Sequence, residues 1–286
     1  LSVNNADSLN DITKKEPGNI ILTGATGFLG AHILSYILDN TNLKVYCLLR
    51  PDLSIDINTK LMKRLNYYFG DKYTNLLNSR VFAISSDISS VDLGLDIDTI
   101  NLLNNNATCV INSAAIVKHY GNYSDFERVN VFGVKNLVRF CTKYHKKFVQ
   151  ISTISVSGNT LFDLAINKSN FTEDVEFNET NLYIGQSLEN VYVRSKFEAE
   201  KIVLENIIYN GLDGLILRIG NITNRSTDGK FQPNSSENAF ANRLKAFLEL
   251  KCVPNYLKNI YAEFSPVDNV AEAVYKSICY ANNINV

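Results

Sequence analysis

Six short apolar runs, Ile20 to Leu22, Lys44 to Leu49, Val81 to Ile84, Cys109 to Asn112, Phe148 to Ser152 and Leu215 to Leu217, punctuate the chain, and stretches of helical spacing separate them. The runs do not alternate apolar with polar, so each reads as a strand buried on both faces. Between them, Ala31 to Leu38 and Thr59 to Phe69 have helical periodicity, the second with Leu61, Leu65 and Tyr68 set against Lys60, Lys63 and Arg64 and a stop at Gly70. Ile97 to Leu103 is a looser helical patch. Ser124 to Tyr144 is the longest one, with Ser124 or Asp125 as its expected cap. Val191 to Tyr209, Ala239 to Leu250 and Asn269 to Tyr280 complete the set, the last with Asp268 as its expected cap.

Buried strands alternating with helices predict an α/β architecture, a Rossmann-type doubly wound parallel sheet with right-handed crossovers. The expected organisation is a linker over residues 1–18, a dinucleotide-binding domain over 19–225, and a small, apparently truncated C-terminal substrate region over 226–286. Within the large domain, Ser155 to Glu189 is long and irregular, which marks it as a candidate lid or channel wall. Phe162, Phe171, Phe177 and Tyr183 could line it, or merely pin it to the surface.

The chemistry begins where the first strand ends. Thr23-Gly24-Ala25-Thr26-Gly27-Phe28-Leu29-Gly30 follows that strand and opens a helix, so backbone amides and a helix N-terminus converge where a diphosphate would sit. In this fold an acidic residue after the second strand holds a ribose 2′-hydroxyl, whereas an arginine accommodates a 2′-phosphate. Here the strand ends on Arg50, Asp52 comes only after a proline, and Arg64 or Lys60 can add a second cation. That pattern favours NADPH over NADH.

Composition changes little. The 286 residues are 45% hydrophobic and 20% charged with a net charge of −1, ordinary for a globular protein and without support for a nucleic-acid or membrane partner. No apolar run approaches membrane-spanning length, and a cytoplasmic protein is expected. The five cysteines show no paired spacing and the three histidines are dispersed, so buried thiols are expected and no metal site is.

A second constellation is Tyr192-Val193-Arg194-Ser195-Lys196 at the start of a helix. Tyr192 and Lys196, at i and i+4, share a face, so the ammonium is expected to stabilise phenolate and bring the phenol toward use as a proton donor. Thr153, just beyond the fifth strand, adds a hydroxyl that could bond a substrate carbonyl.

Together with Val45 to Arg50, Ser113-Ala114-Ala115, Ile151 to Val156 and Pro266-Val267-Asp268, these residues resemble the extended short-chain dehydrogenases/reductases. Within that group they resemble the terminal thioester reductase domains of nonribosomal peptide synthetases and the reductase domains of carboxylic acid reductases. The resemblance spans roughly Gly18 to Tyr280. It implies a catalytic set of Thr153, Tyr192 and Lys196, and a diphosphate loop of Thr23, Gly24, Thr26, Gly27, Phe28, Leu29 and Gly30. It also implies 2′-phosphate contacts at Arg50 and Arg64, an adenine-side pair at Asp87 and Ile88, a segment at Ala114 and Ala115 under the nicotinamide ribose, which Lys196 also contacts, and a nicotinamide flank at Gly220 and Asn221. Asn130 matches a family asparagine, for which simple helix-to-loop bonding is an equal reading. Leu217 to Gly220 departs from the family in lacking proline before the glycine, and family members continue past the last helix into a part that completes the substrate region.

The activity this implies is NADPH-dependent reduction of a peptidyl or acyl thioester, carried on the phosphopantetheine arm of an upstream carrier domain, to an aldehyde or onward to an alcohol. Two other readings remain: an extended reductase, epimerase or dehydratase acting on a free small molecule or acyl-CoA, and a non-catalytic NAD(P)-binding module.

Overall fold

The computed structural model describes residues 14–118, 120–158, 177–235, 238–255, 257 and 263–280. Phe162 and Phe171, proposed above as lining residues, lie outside them.

The six apolar runs form one parallel sheet in the order β3-β2-β1-β4-β5-β6, with β1 at Ile20–Thr23, β2 at Val45–Leu49, β3 at Val81–Ser85, β4 at Cys109–Asn112, β5 at Lys147–Thr153 and β6 at Gly214–Ile219. Chain order reverses between β1 and β4, so the C-terminal ends of those two strands flank the crevice where doubly wound folds bind ligands. The in-register neighbours Thr23 and Asn112 stand on either side of it.

Because strand side chains alternate between faces, each apolar run feeds two cores. Ile20 and Leu22 of β1 pack with α1 (Phe28–Asn40), α2 (Ile57–Phe69) and the last helix, whereas Ile21 packs on the other face with Val110 and Phe148. That second layer is α3 (Ile97–Asn106), α4 (Tyr123–Phe126, continuing through Glu127–Phe132 to Gly133–Lys143) and α5 (Val191–Asn210). α6 (Ala239–Leu250) follows β6, and α7 (Val267–Tyr280) closes the described chain by packing its Val270, Val274 and Ile278 into the α1 layer. A two-stranded parallel pair, Ile222–Thr223 with Ser265–Pro266, lies beyond the end of β6. Four cysteines are buried and Cys252 is exposed.

Two expected caps are displaced. The long helix α4 starts two to three residues early, at Tyr123–Phe126 with Asn122 at its N-cap, so Ser124 and Asp125 lie inside its first turn. It then runs through a π-helical segment, Glu127–Phe132, before resuming as Gly133–Lys143. Asp268 likewise lies inside α7, and its carboxylate accepts from Ser226 N (2.9 Å) and Oγ (2.6 Å), tying the helix to the loop after β6. Periodicity alone cannot tell a cap from a first-turn acid when the helix begins one or two residues upstream.

Candidate active site

At the end of β1 the chain turns on Gly24, whose φ of +72° only glycine adopts without strain, and a Cβ there would meet Ser113 C at 2.6 Å and Ala114 N at 2.7 Å. Gly30, in the first turn of α1, has no room either, since a Cβ would collide with Gly24 O. Gly27 differs: it is exposed, and a Cβ would touch Gly24 O alone, at 3.1 Å. The first glycine thus makes the turn, the third lets helix and loop pack, and the middle one leaves backbone open to solvent. α1 also begins without a side-chain cap and without an acid in its first turn, so its leading amides are available to an anion. These features fit a dinucleotide diphosphate. Thr26 and Phe28 are half-buried along the loop, while Leu29 points into the core.

At the end of β2, Arg50 is exposed and its charge reaches Asp87. Asp52 is engaged elsewhere: it accepts from Ser54 N at 3.0 Å and Oγ at 2.7 Å and sits 3.8 Å from Lys60 Nζ. Arg64 projects from α2 beside Tyr68, whose phenol it influences. In the loop after β3, burial alone would raise the Asp87 carboxyl, yet bonds from Ser89 and the charges of Arg128 and Arg50 hold it below the usual range. Ile88 is fixed by Asn136 Nδ2 donating to its carbonyl at 2.9 Å and by Gly133, where a Cβ would come within 2.9 Å of Ile88 Cδ1. Asp87 and Ile88, the candidate adenine-side pair, are thus both held in place by neighbouring side chains or backbone.

On the other side of the switch point, Ala114 N is 3.3 Å from Thr23 Oγ1 and 3.3 Å from Asn112 Oδ1, which holds the Ala114–Ala115 turn against β1. Gly220 follows β6, with the Glu263 carboxylate filling the space a Cβ would need, and Asn221 O accepts from Ser265 N at 2.9 Å. Of the cofactor-binding candidates, Thr23, Gly24, Arg50, Asp87, Ala114, Gly220 and Asn221 lie at or just beyond the C-terminal ends of the strands, whereas Arg64 and Lys196 come from helices.

The candidate catalytic residues meet at the end of β5. Thr153 closes that strand, and its Oγ1 accepts from Ser155 N at 3.1 Å. Tyr192 and Lys196 come from the first turns of α5, which Asn190 caps by accepting from Tyr192 N at 3.0 Å and Val193 N at 3.1 Å. Burial pushes the Tyr192 phenol up to about 12, against the lowering effect of its hydrogen bond with Thr153. The sequence pattern expects Lys196 to pull the phenol down. In the structure its ammonium instead donates to the Ile151 carbonyl at 2.8 Å, so desolvation and Thr153 set the phenol.

Burial also pushes Lys196 down to about 8 from 10.5, partly opposed by Glu200 four residues on, and it remains a cation at neutral pH. Its folded pKa lies below its unfolded one, so from about pH 8 to 10.5 the unfolded chain binds the extra proton and stability rises with pH. Wild-type stability is therefore expected to climb relative to Lys196→Met as thermal melts are taken from about pH 7 to about pH 10. A difference that does not change with pH would show that Lys196 is not desolvated.

Asn130, in the π-helical segment, is 2% exposed and fully engaged. Its Oδ1 accepts from Ile116 N at 2.8 Å, and its Nδ2 donates to Ile116 O at 2.9 Å and Ser195 Oγ at 2.9 Å. It thus locks the loop after β4 to the helix that carries Tyr192, which is the helix-to-loop reading.

Two features escape sequence reading. One is a buried polar row across the sheet: Thr23 Oγ1 donates to Asn112 Oδ1 at 2.5 Å, Asn112 Nδ2 to Gln150 Oε1 at 2.9 Å, and Gln150 Nε2 to the same Ile151 carbonyl that receives Lys196. A polar residue in the middle of a strand buried on both faces is its only signal. The other is Glu200, with no solvent exposure, bonded by Ser152 and Arg218. Its position, one further helical step along the face shared by Tyr192 and Lys196, could have drawn notice.

Comparison with known proteins places this geometry. The model of the NAD-binding family described as "Male sterility protein" matches residues 22–274. The chain is 38% identical to the solved thiolation-reductase di-domain of an archaeal non-ribosomal peptide synthetase, with a TM-score of 0.80 over 93% of this chain and 68% of that one. It is 31% identical to the Aureusimine biosynthetic cluster reductase domain, with a TM-score of 0.76 over 93% of this chain and 66% of the other. Among curated proteins it is 27% identical over 267 residues to Probable polyketide synthase 45 of Dictyostelium discoideum, which is 91% of this chain and 8% of that protein. The chain thus spans a small fraction of the curated relatives' length. No helix among the described residues is long and apolar enough to cross a membrane.

Proposed function

The chain belongs to the male sterility protein family of NAD-binding domains, and from that premise we propose that it is the reductase domain of a larger synthetase, releasing a carrier-bound peptidyl or acyl thioester as an aldehyde with NADPH. The observation that carries this reading is the meeting of Thr153, Tyr192 and Lys196 across the crevice from the Gly24–Gly30 loop, in a chain 38% identical to a thiolation-reductase di-domain.

The cofactor supplies a hydride to the thioester carbonyl carbon. The residues of the chain do the rest. Thr153 and Tyr192 present O–H groups where the carbonyl oxygen gains negative charge, and Tyr192 supplies the proton that oxygen takes up. The resulting thiohemiacetal breaks its carbon–sulfur bond, so the thiol leaves with a proton and the aldehyde remains. Lys196, its ammonium held by Ile151 O, is assigned to the nicotinamide ribose, to which it can offer its remaining N–H donors. The partner this requires is a phosphopantetheine-bearing carrier domain, upstream in the same larger protein.

The test mixes the reductase, within its full-length protein, with a loaded carrier domain and follows NADPH oxidation. No carrier-dependent oxidation would sink the proposal. For the cofactor, Arg50→Ala should raise the KM for NADPH about 10- to 100-fold, the loss of a charge-assisted phosphate contact of about 1.5–3 kcal/mol, and leave that for NADH nearly unchanged. Equal effects on both cofactors would remove Arg50 from 2′-phosphate recognition.

A further inference from the structure

Arg218, on β6, makes contacts in two directions. Inward, its Nε lies 3.1 and 3.2 Å from the two carboxylate oxygens of Glu200, and its Nη2 donates to Oε2 at 2.8 Å. Ser152 Oγ holds the same carboxylate from β5 at 2.5 Å, so Glu200 is anchored to both strands beside the catalytic helix. Outward, Arg218 Nη1 donates to Asn178 O at 2.9 Å and Nη2 to Asn181 O at 2.9 Å, while the guanidinium lies 4.5 Å from the centroid of the Phe177 ring. Those residues begin the stretch that runs into Asn190 and Tyr192. A planar fork with five donors can grip a carboxylate and two carbonyls at once, which a lysine cannot.

A second staple works downstream and independently. Gln186 is 3% exposed, and its Nε2 donates to Val156 O and Leu182 O, both at 2.8 Å. It fixes the segment nearer the helix, while Arg218 grips the backbone at Asn178 and Asn181. That part forms one wall of a cavity of about 730 Å³, to which Ile154 and Ile219 also contribute. The cavity runs along β6 from Leu215 to Ile219, between Leu204 and Ile207 of α5 and Val274 of α7, and one end of it reaches Ile154, the residue after Thr153, and Ile219, the register partner of Thr153.

We propose that Arg218 is a positioning residue, a clamp anchored on buried Glu200 that fixes the backbone from Phe177 to Asn181 as the wall against which the acyl group of the thioester lies. The acyl part of this rests on the function proposed above; the clamp itself does not. Its consequence is selective: releasing the clamp weakens binding of the acyl thioester and spares both the dinucleotide loop and the Thr153, Tyr192, Lys196 set.

The experiment compares wild type with Arg218→Lys, which keeps a cation against Glu200 but loses the fork, in the full synthetase or a carrier-containing protein. Amide hydrogen exchange over residues 177–183 is expected to quicken about tenfold, with the loop at Gly24 to Gly30 unchanged. With a carrier-bound acyl thioester, KM should rise about tenfold while kcat and NADPH affinity stay within about twofold. Phe177→Ala, which removes only the stacked ring, should raise the same KM less. Unchanged exchange in Arg218→Lys overturns the clamp, and an effect confined to kcat overturns its role in acyl binding. If wild type shows no carrier-dependent turnover, the functional reading fails with the acyl half of this proposal, and exchange alone decides the clamp.

Discussion

Tyr192→Phe is expected to lower thioester turnover by about 10²- to 10⁴-fold, the usual contribution of a positioned proton donor, with NADPH affinity left within about twofold. The ring keeps its volume and its place on α5, so packing is spared and only the O–H is lost. Two features make that O–H suited to the task. Burial holds the phenol up to about 12, so at neutral pH it is protonated and serves as a donor. The Thr153 hydroxyl bonds the phenol oxygen, which orients the Tyr192 O–H toward the position where the carbonyl oxygen becomes alkoxide-like. Turnover followed by NADPH oxidation, with binding followed by cofactor fluorescence, separates the two quantities. A variant of full activity would remove Tyr192 from the mechanism, and a variant that loses NADPH binding would make it a cofactor residue.

A feature is legible in the sequence where one residue type has one physical reason to be present. All six strands were visible because a parallel sheet buried on both faces demands uninterrupted apolar runs, as at Ile20, Ile21 and Leu22. The Gly24, Gly27, Gly30 triplet was visible because backbone geometry and close packing leave glycine no substitute at two of the three positions. Interactions that depend on tertiary closure were not. Glu200 and Arg218 lie on different elements, and nothing local says that one carboxylate will be gripped by Arg218 and Ser152 or that the arginine will continue to Asn178 and Asn181. The helical spacing of Tyr192 and Lys196 was legible, yet the Lys196 ammonium also had a carbonyl within reach on β5, and only the packed structure reveals that bond.

The sharpest test of the loop compares two of its glycines. Gly27→Ala is expected to fold almost as wild type, with Tm within about 2 °C, because φ at Gly27 is −77° and its new methyl would meet only Gly24 O, at 3.1 Å. The same methyl stands on the exposed side, where a diphosphate must approach the helix amides. NADPH affinity should therefore fall about 10- to 100-fold, the loss of charge-assisted bonds worth about 1.5–3 kcal/mol. Gly24→Ala reverses the order of effects. Its φ of +72° costs an alanine about 1–2 kcal/mol, and the methyl would press on Ser113 C at 2.6 Å and Ala114 N at 2.7 Å, forcing β1 and β4 apart at the switch point. Tm should fall by at least about 4 °C, with cofactor binding lost as a consequence of the distorted crevice. Thermal melts with and without NADPH distinguish the two. If Gly27→Ala retains full affinity, the loop does not cradle the diphosphate. If both variants lose stability equally, Gly27 serves the fold, and the open backbone at the start of α1 has no part in recognition.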